Sequence, residues 1–285
     1  MFVPPALARL VQSALDEDAP WGDATSGAFV PAEAIAEARL VTRAAGVFSG
    51  GALFEAAFAL TDPGCTVDDL APSGAAIRPG DVLATVRGPA RAVLTAERVG
   101  LNFAQRMSGI ATLTRRYVDA VSGTGVRIVD TRKTTPGLRA VERAAVRDGG
   151  GANHRFSLSD AVMLKDNHLG VITADGVSIT EGLRRAMSTL PHTMHVEVEV
   201  DRIDQIEPVL AAGIDTIMLD NFALDDLRRG VALVAGRATV EASGGVSLDT
   251  VRAIAETGVD VISVGALTHS APALDLGLDL VIGAT

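Results

Sequence analysis

HVEVEVDRIDQIEPVLAAGIDTIMLDNFALDDLRRGVALVAGRATVEASGGVSLDTVRAIAETGVDVISVGAL, residues 195–267, repeats one structural unit several times over. The strand-like runs HVEVEV, TIMLD, TVEAS and VISVG each open a copy, and helix-like segments such as RIDQIEPVLAAG, ALDDLRRGVALVAG and SLDTVRAIAETG fill the intervals. The runs end at Glu199, Asp220, Ser243 and Gly265, so successive ends lie 21, 23 and 22 residues apart. One strand plus one helix takes about twenty-odd residues, the period of a (β/α) barrel or a doubly wound sheet. The runs read as apolar, as strands buried on both faces should. VRIVD and AVMLK, ending at Asp130 and Lys165, extend the series upstream. Asp130, Lys165, Glu199, Asp220, Ser243 and Gly265 thus collect at strand C-termini, where a barrel gathers its reactive side chains. A doubly wound sheet does the same at its switch point, so the barrel is the favoured of two readings.

Upstream the rhythm differs. From about Glu33 to Pro89 short strand-like runs alternate with Gly and Pro, and ALFEAAFAL is the one helical piece, which predicts a small α+β domain. AVLTAERVGLNFAQRMSGIATLTRRYVDAVSG carries apolar residues at helical spacing and predicts helices joining the two regions, with a break near Ser108 and Gly109.

Composition excludes whole classes. The chain has 285 residues, 48% of them hydrophobic, enough for one large α/β domain or two modest ones. A formal net charge of -10 removes the electrostatic attraction on which nucleic-acid and anionic-membrane binding depend, so neither partner is expected. Cys65 is the single cysteine, which rules out an intramolecular disulfide and a multi-thiolate metal site, and it reads as a buried bystander thiol. With no basic leader and no long apolar run, the cytoplasm is the expected compartment.

Against that acidic background, Arg132, Lys133, Arg139, Arg143, Arg147, His154, Arg155, Lys165 and His168 crowd between Asp130 and His168 beside three consecutive glycines. Local charge opposed to global charge predicts a cationic pocket for a small, multiply charged anion. Gly244 and Gly245 in EASGG, with Gly265 in SVGAL, end the last two strands, where a barrel commonly holds a phosphate; a tight turn is the plainer alternative. Glu199 and Asp220 suit Mg²⁺ or ribose hydroxyls, and equally suit a role as counter-ions to Lys165 or Arg132. Lys165 alone also fits a Schiff-base nucleophile. His154 and His168 lack a third imidazole or thiolate at ligand spacing, so zinc is not expected.

DTRKTTPGLR, GGGANHR, LKDNH, VEVEVD, IMLDNF, EASGGV and VGALTHS, in this order and spacing, resemble quinolinate phosphoribosyltransferase. EDAPWGDATS, AGVFSGG and LTAERVGLNFAQRMSGIAT carry the likeness through the N-terminal part. Arg143, Ala144 and Ser157 depart from the family pattern, and none of them is assigned to chemistry. The resemblance implies an α/β fold. It divides into an N-terminal α/β sandwich domain with linking helices (1–109), an incomplete seven-stranded α/β barrel (110–267), and a C-terminal segment (268–285) returning to the first domain. It also implies transfer of phosphoribosyl from phosphoribosyl pyrophosphate to quinolinate with decarboxylation, by a homodimer or higher assembly with shared sites. Arg98 of one subunit would complete, in its neighbour, a cage of Thr131, Arg132, Lys133, His154, Arg155 and Lys165. Glu199 and Asp220 would face the ribose and Mg²⁺, directly or through water, and Ser243, Gly244, Gly245 and Gly265 would hold the 5-phosphate. Lys133, Glu199 and Asp220 are the expected catalytic residues. A barrel lyase using Lys165, a nicotinate transferase and a catalytically silent nucleotide sensor are the rival readings.

Overall fold

In the computed structural model, which describes residues 4–283, the first elements are α1 (Pro5–Asp18), α2 (Ala24–Phe29), β1 (Ile35–Thr42), β2 (Gly46–Val47), α3 (Gly51–Thr61), β3 (Thr66–Asp68), β4 (Ala76–Ile77), β5 (Val82–Pro89) and α4 (Ala90–Ala120). β6 (Arg127–Val129), α5 (Arg139–Asp148), β7 (Val162–Leu164), α6 (Asp166–Ile172), α7 (Ile179–Met187) and β8 (Val196–Val200) follow. The chain continues with α8 (Ile206–Leu210), β9 (Thr216–Asp220), α9 (Leu224–Val234), β10 (Thr239–Ser243), α10 (Val251–Ala255), β11 (Val261–Ser263), α11 (Ala266–His269) and β12 (Leu276–Gly283). Two units result. Unit 1 takes residues up to Arg115, Thr135–Gly150 and those from Ala271 onward; unit 2 takes Arg116–Thr134 and Gly151–Ser270. Among the described residues no helix is long and apolar enough to cross a membrane.

Unit 1 is built on an antiparallel sheet in the order β12-β1-β5-β3. β1 shows why: Ala36, Ala38, Leu40 and Thr42 are buried while their neighbours are not, the period-two pattern of a sheet with one face on a core. That core contains Phe48, Phe54 and Phe58, the last two rings 4.9 Å apart, and the Cys65 thiol. Burial, and then the charge of Asp62, push this thiol up to about 11, so at neutral pH it is an inert hydrophobe, as expected of a bystander. α2 is started by Asp23, whose Oδ1 accepts the Thr25 and Ser26 N–H groups at 2.9 and 3.0 Å.

The expected helix break at Ser108 and Gly109 is absent, because α4 runs unbroken for 31 residues. Both residues serve contacts instead. The buried Ser108 hydroxyl accepts the Ser49 N–H and donates to the Ser49 carbonyl, each at 3.0 Å. A Cβ on Gly109 would stand 2.0 Å from the Pro272 carbonyl oxygen, so only glycine lets that segment lie against the helix.

Unit 2 carries the parallel sheet, ordered β6-β11-β10-β9-β8-β7. From β7 to β11 each strand pairs with the next in chain order, and β11 then pairs with β6, the first. A doubly wound sheet would reverse direction after its first strands; this one closes in a single sense, as a barrel does. The barrel is incomplete. Between β6 and β7 the seventh position is reduced to Ala152, bridged to Val129 alone. Arg155 spans part of the opening, its Nη1 donating to the Ala161 carbonyl at 3.0 Å just before β7.

Candidate active site

At the strand C-termini of unit 2 lies a cavity of about 470 Å³, within the usual range for a small-molecule site. Thr131, Arg132, Lys133, His154, Arg155, Lys165, Glu199, Asp220, Ser243, Gly244 and Gly245 all line it, as the sequence proposed, joined by Met163, Met218, Asn221, Glu241 and Ser263. In-register pairing explains the convergence. Met218 on β9 pairs with Glu199 on β8 and with Glu241 on β10, and paired residues of a parallel sheet share a face.

Gly265 does not line the cavity. A Cβ on it would come within 3.1 Å of both Lys133 Cδ and His269 Nε2, so its bareness leaves room for the lysine stem. Thr268 Oγ1 also donates to the Lys133 carbonyl at 2.7 Å, and the Lys133 N–H donates to Thr131 Oγ1 at 3.1 Å. Arg98 is exposed on α4 in unit 1 and is not among the lining residues.

The broad cationic cluster read from the sequence needs correction. Arg139, Arg143 and Arg147 belong to α5, in unit 1, and do not line the cavity. Buried Glu142 fastens this segment into unit 1 by accepting from Arg106 Nη2 at 3.0 Å, the Thr135 N–H at 3.1 Å and Thr135 Oγ1 at 2.7 Å. His168, in α6, does not line the cavity either, and its Nδ1 accepts the Lys165 N–H at 3.1 Å.

The cations that remain are held in fixed positions. Lys165 Nζ donates to Glu199 Oε2, so the lysine is a paired ammonium rather than the isolated, desolvated amine that Schiff-base chemistry favours. Burial, and then the neighbouring Arg132 guanidinium, push Arg155 below the ordinary arginine range. Two permanently charged guanidiniums kept close in a half-buried cleft call for an anion with more than one negative charge. At the end of β9 Asn221 Nδ2 donates to Asp220 Oδ2 at 2.6 Å. Gly244 adopts φ +90°, and a Cβ there would fall 2.1 Å from Asn221 Oδ1, so the backbone after β10 approaches the cavity as no other residue could.

Glu197 and Glu241 are the residues that sequence reasoning missed. Both are buried, on β8 and β10, with His154 Nε2 3.1 Å from Glu197 Oε2 and 3.5 Å from Glu241 Oε2. Burial alone would lower the His154 imidazole, but the hydrogen bonds and charges of the two glutamates outweigh it and push it up to about 10. Its Nδ1 nevertheless accepts the Arg155 N–H at 2.7 Å. A proton on Nδ1 would meet that N–H head-on, so this contact opposes the cationic ring that the two glutamates favour. Burial, with the charge of Glu241, raises the Glu197 carboxyl in the same direction, against the influence of His154.

The sequence compares as closely as the geometry. Residues 110–279 match the C-terminal domain of quinolinate phosphoribosyl transferase, and residues 23–108 match its N-terminal domain. The chain belongs to the quinolinate phosphoribosyltransferase family. A probable nicotinate-nucleotide pyrophosphorylase [carboxylating] of Bacillus subtilis is 42% identical over 276 residues, which cover 97% of this chain and 94% of that protein. The nicotinate-nucleotide pyrophosphorylase [carboxylating] of Mycobacterium leprae is likewise 42% identical, over 95% of each chain. A crystal structure of NadC from Streptococcus pyogenes superposes with a TM-score of 0.93 at 39% identity, covering 100% of this chain and 99% of that one. Among family members, then, the cavity at the barrel mouth is the place to look for the transferase chemistry.

Proposed function

We propose that the unit 2 cavity binds quinolinate and phosphoribosyl pyrophosphate together and carries out the family's reaction there. The protein transfers the phosphoribosyl group to quinolinate with loss of CO₂, giving nicotinate mononucleotide and pyrophosphate for NAD biosynthesis. The observation that carries the placement is the pair Arg132 and Arg155 in one half-buried cleft, each a planar fork suited to a carboxylate. Quinolinate has two adjacent carboxylates beside its ring nitrogen, so two forks at fixed spacing both bind and orient it. Lys133 and Lys165 offset further negative charge from the second substrate, and Ser243, Gly244 and Gly245 offer N–H groups to its 5-phosphate.

Glu199 and Asp220 end neighbouring strands and face the ribose in this reading. As the C1–oxygen bond to pyrophosphate breaks, C1 becomes oxocarbenium-like and their carboxylates stabilise the developing charge. The ring nitrogen then forms its bond to C1 and becomes a pyridinium. The adjacent carboxylate leaves as CO₂, its bonding pair remains on the ring carbon, and that carbon takes up a proton. Orientation and electrostatics supply most of the rate. Mg²⁺ fits the donors present: Glu199 and Asp220 provide the hard carboxylate oxygens it prefers, directly or through water. When bound, it would neutralise pyrophosphate charge.

We place the active form as a homodimer or higher assembly in the cytoplasm, with Arg98 reaching a neighbouring subunit's cavity. Trp21 and Phe29, 96% and 83% exposed in unit 1, are apolar side chains of the kind a subunit interface covers. Separately inactive Arg98→Ala and Lys133→Ala proteins, once subunits exchange, should then recover activity at about one site in four. Proven exchange without recovery would count against a shared site. The activity itself is checked by incubating the protein with phosphoribosyl pyrophosphate, Mg²⁺ and either quinolinate or nicotinate. Nicotinate mononucleotide and CO₂ from quinolinate alone are expected, and product from nicotinate would overturn the decarboxylating reading.

A further inference from the structure

Asn221 lines the cavity together with Asp220 and Ser243, yet the proposed reaction assigns it no task. Its φ is +57°, in the left-handed region that asparagine enters more readily than most non-glycine residues. The Asn221 N–H donates to the Ser243 carbonyl at 2.9 Å, one residue beyond the last β9–β10 pair, Asp220 with Ser243. Next to Ser243 the chain turns left-handed again, at Gly244 with φ +90°. A Cβ on Gly244 would fall 2.1 Å from Asn221 Oδ1 and 2.5 Å from Asn221 Cγ, so the amide occupies the space that the glycine leaves. From that seat Asn221 Nδ2 donates to Asp220 Oδ2 at 2.6 Å.

A carboxyl group turns about a broad, two-fold torsion, so an unheld Asp220 would sample many orientations at the cavity wall. A charge-assisted hydrogen bond to one oxygen stops that rotation and leaves the other oxygen for a ligand. We infer that Asn221 is a positioning residue for Asp220: seated against Gly244, it holds the carboxylate by Oδ2 so that Oδ1 meets the ribose of phosphoribosyl pyrophosphate. The inference rests on the reading of Asp220 as facing that ribose.

Two plainer roles make different demands on the side chain. A residue needed only for its left-handed turn is replaced by glycine without loss, because glycine takes positive φ freely and keeps the N–H that meets Ser243. A residue that itself binds phosphoribosyl pyrophosphate keeps its effect when Asp220 is gone. A positioning residue does neither: glycine impairs it, and its effect vanishes with the carboxylate it positions. Aspartate separates shape from donation. It tolerates the left-handed region and nearly matches asparagine in size, but it brings a second negative charge against Asp220 and no donor.

The test is calorimetric titration of the folded, full-length protein with each substrate separately in the presence of Mg²⁺, which requires no turnover. Asn221→Gly and Asn221→Asp should each weaken phosphoribosyl pyrophosphate binding about tenfold or more and change quinolinate binding by less than about twofold. In an Asp220→Ala background the further effect of Asn221→Gly should shrink to less than about twofold. Unchanged phosphoribosyl pyrophosphate binding in Asn221→Gly would make the residue a turn former only. A tenfold loss that persists in the Asp220→Ala background would make it a direct ligand, and equal loss for quinolinate would mean a general loosening of the mouth. Each of these three outcomes overturns the inference. A crystal structure of Asn221→Gly gives a readout that needs no substrate: the Asp220 carboxylate should be rotated or spread over several orientations, and finding it unmoved would end the positioning role. Failure of the unsubstituted protein to bind phosphoribosyl pyrophosphate would instead sink the functional reading, and the crystal structure would still decide this one.

Discussion

Arg155→Ala is expected to raise the KM for quinolinate about 100-fold and that for phosphoribosyl pyrophosphate by less than about threefold, because a two-pronged charged contact contributes roughly 3 kcal/mol and about 1.4 kcal/mol is a factor of ten. The asymmetry is the point. Burial, and then the Arg132 guanidinium, lower Arg155's affinity for its proton, so Arg155 is held at some electrostatic cost that an anion recovers. Removing Arg155 leaves a substrate carboxylate desolvated with no fork opposite. Arg155→Lys should recover only part of the loss, since an ammonium is a single point of charge. Equal damage to both substrates, in a folded protein, would end the assignment.

Loss of Arg155 also removes the contact to the Ala161 carbonyl across the barrel's opening. The adjoining loop has its own fastening, so the variant should stay folded. Asp160 accepts the Phe156 and Ser157 N–H groups at 2.6 and 2.7 Å. Slight burial raises its carboxyl, but those bonds outweigh it and pull it down to about 2. A depressed carboxyl contributes above its unfolded value and is lost only as the pH falls through the folded one, so this fastening is complete at neutral pH and fails only in acid, as the pH approaches 2.

Particular residues show what the sequence could and could not reveal. Lys165, Glu199, Asp220 and Ser243 were legible because the strand-plus-helix period locates strand ends, and strand ends of a barrel share one mouth. Arg139, Arg143 and Arg147 were misplaced because charge density along the chain says nothing about which unit a helix joins. Their spacing of four residues was the available signal, for it marks one face of a separate helix. Glu197 was hidden in a run read as apolar, although VEVEV alternates and a strand buried on both faces has no solvent for its acids. What that acid pairs with lies more than forty residues away at His154, and only the tertiary fold brings them together. The shrunken seventh strand was likewise out of reach, since a single bridge at Ala152 leaves no periodicity to read.

The same physics gives opposite signs to one chemical change at two helical glycines. Alanine exceeds glycine in helix propensity by about 1 kcal/mol, so propensity alone predicts stabilisation at both. At Gly27 in α2 a new Cβ would meet nothing within 4 Å, and Gly27→Ala should hold or raise the melting temperature. At Gly109 the new methyl would stand 2.0 Å from the Pro272 carbonyl oxygen and 3.2 Å from Ala273 Cα. Backbone cannot rotate aside as a side chain can, so the segment leading into β12 must lift from α4. That segment is held by the Leu274 N–H donating to the Gln105 carbonyl at 2.9 Å, by Gln105 Nε2 donating to the Leu276 carbonyl at 2.7 Å, and by Arg106 Nη1 donating to the Ala271 carbonyl at 2.9 Å. Forced overpacking of this kind costs about 3 kcal/mol or more, which outweighs the propensity gain and should lower the melting temperature of Gly109→Ala by about 5 °C or more. Unchanged melting in Gly109→Ala would mean that the segment does not lie against α4 as described. A loss in Gly27→Ala to match it would mean that the difference between the two sites has another cause.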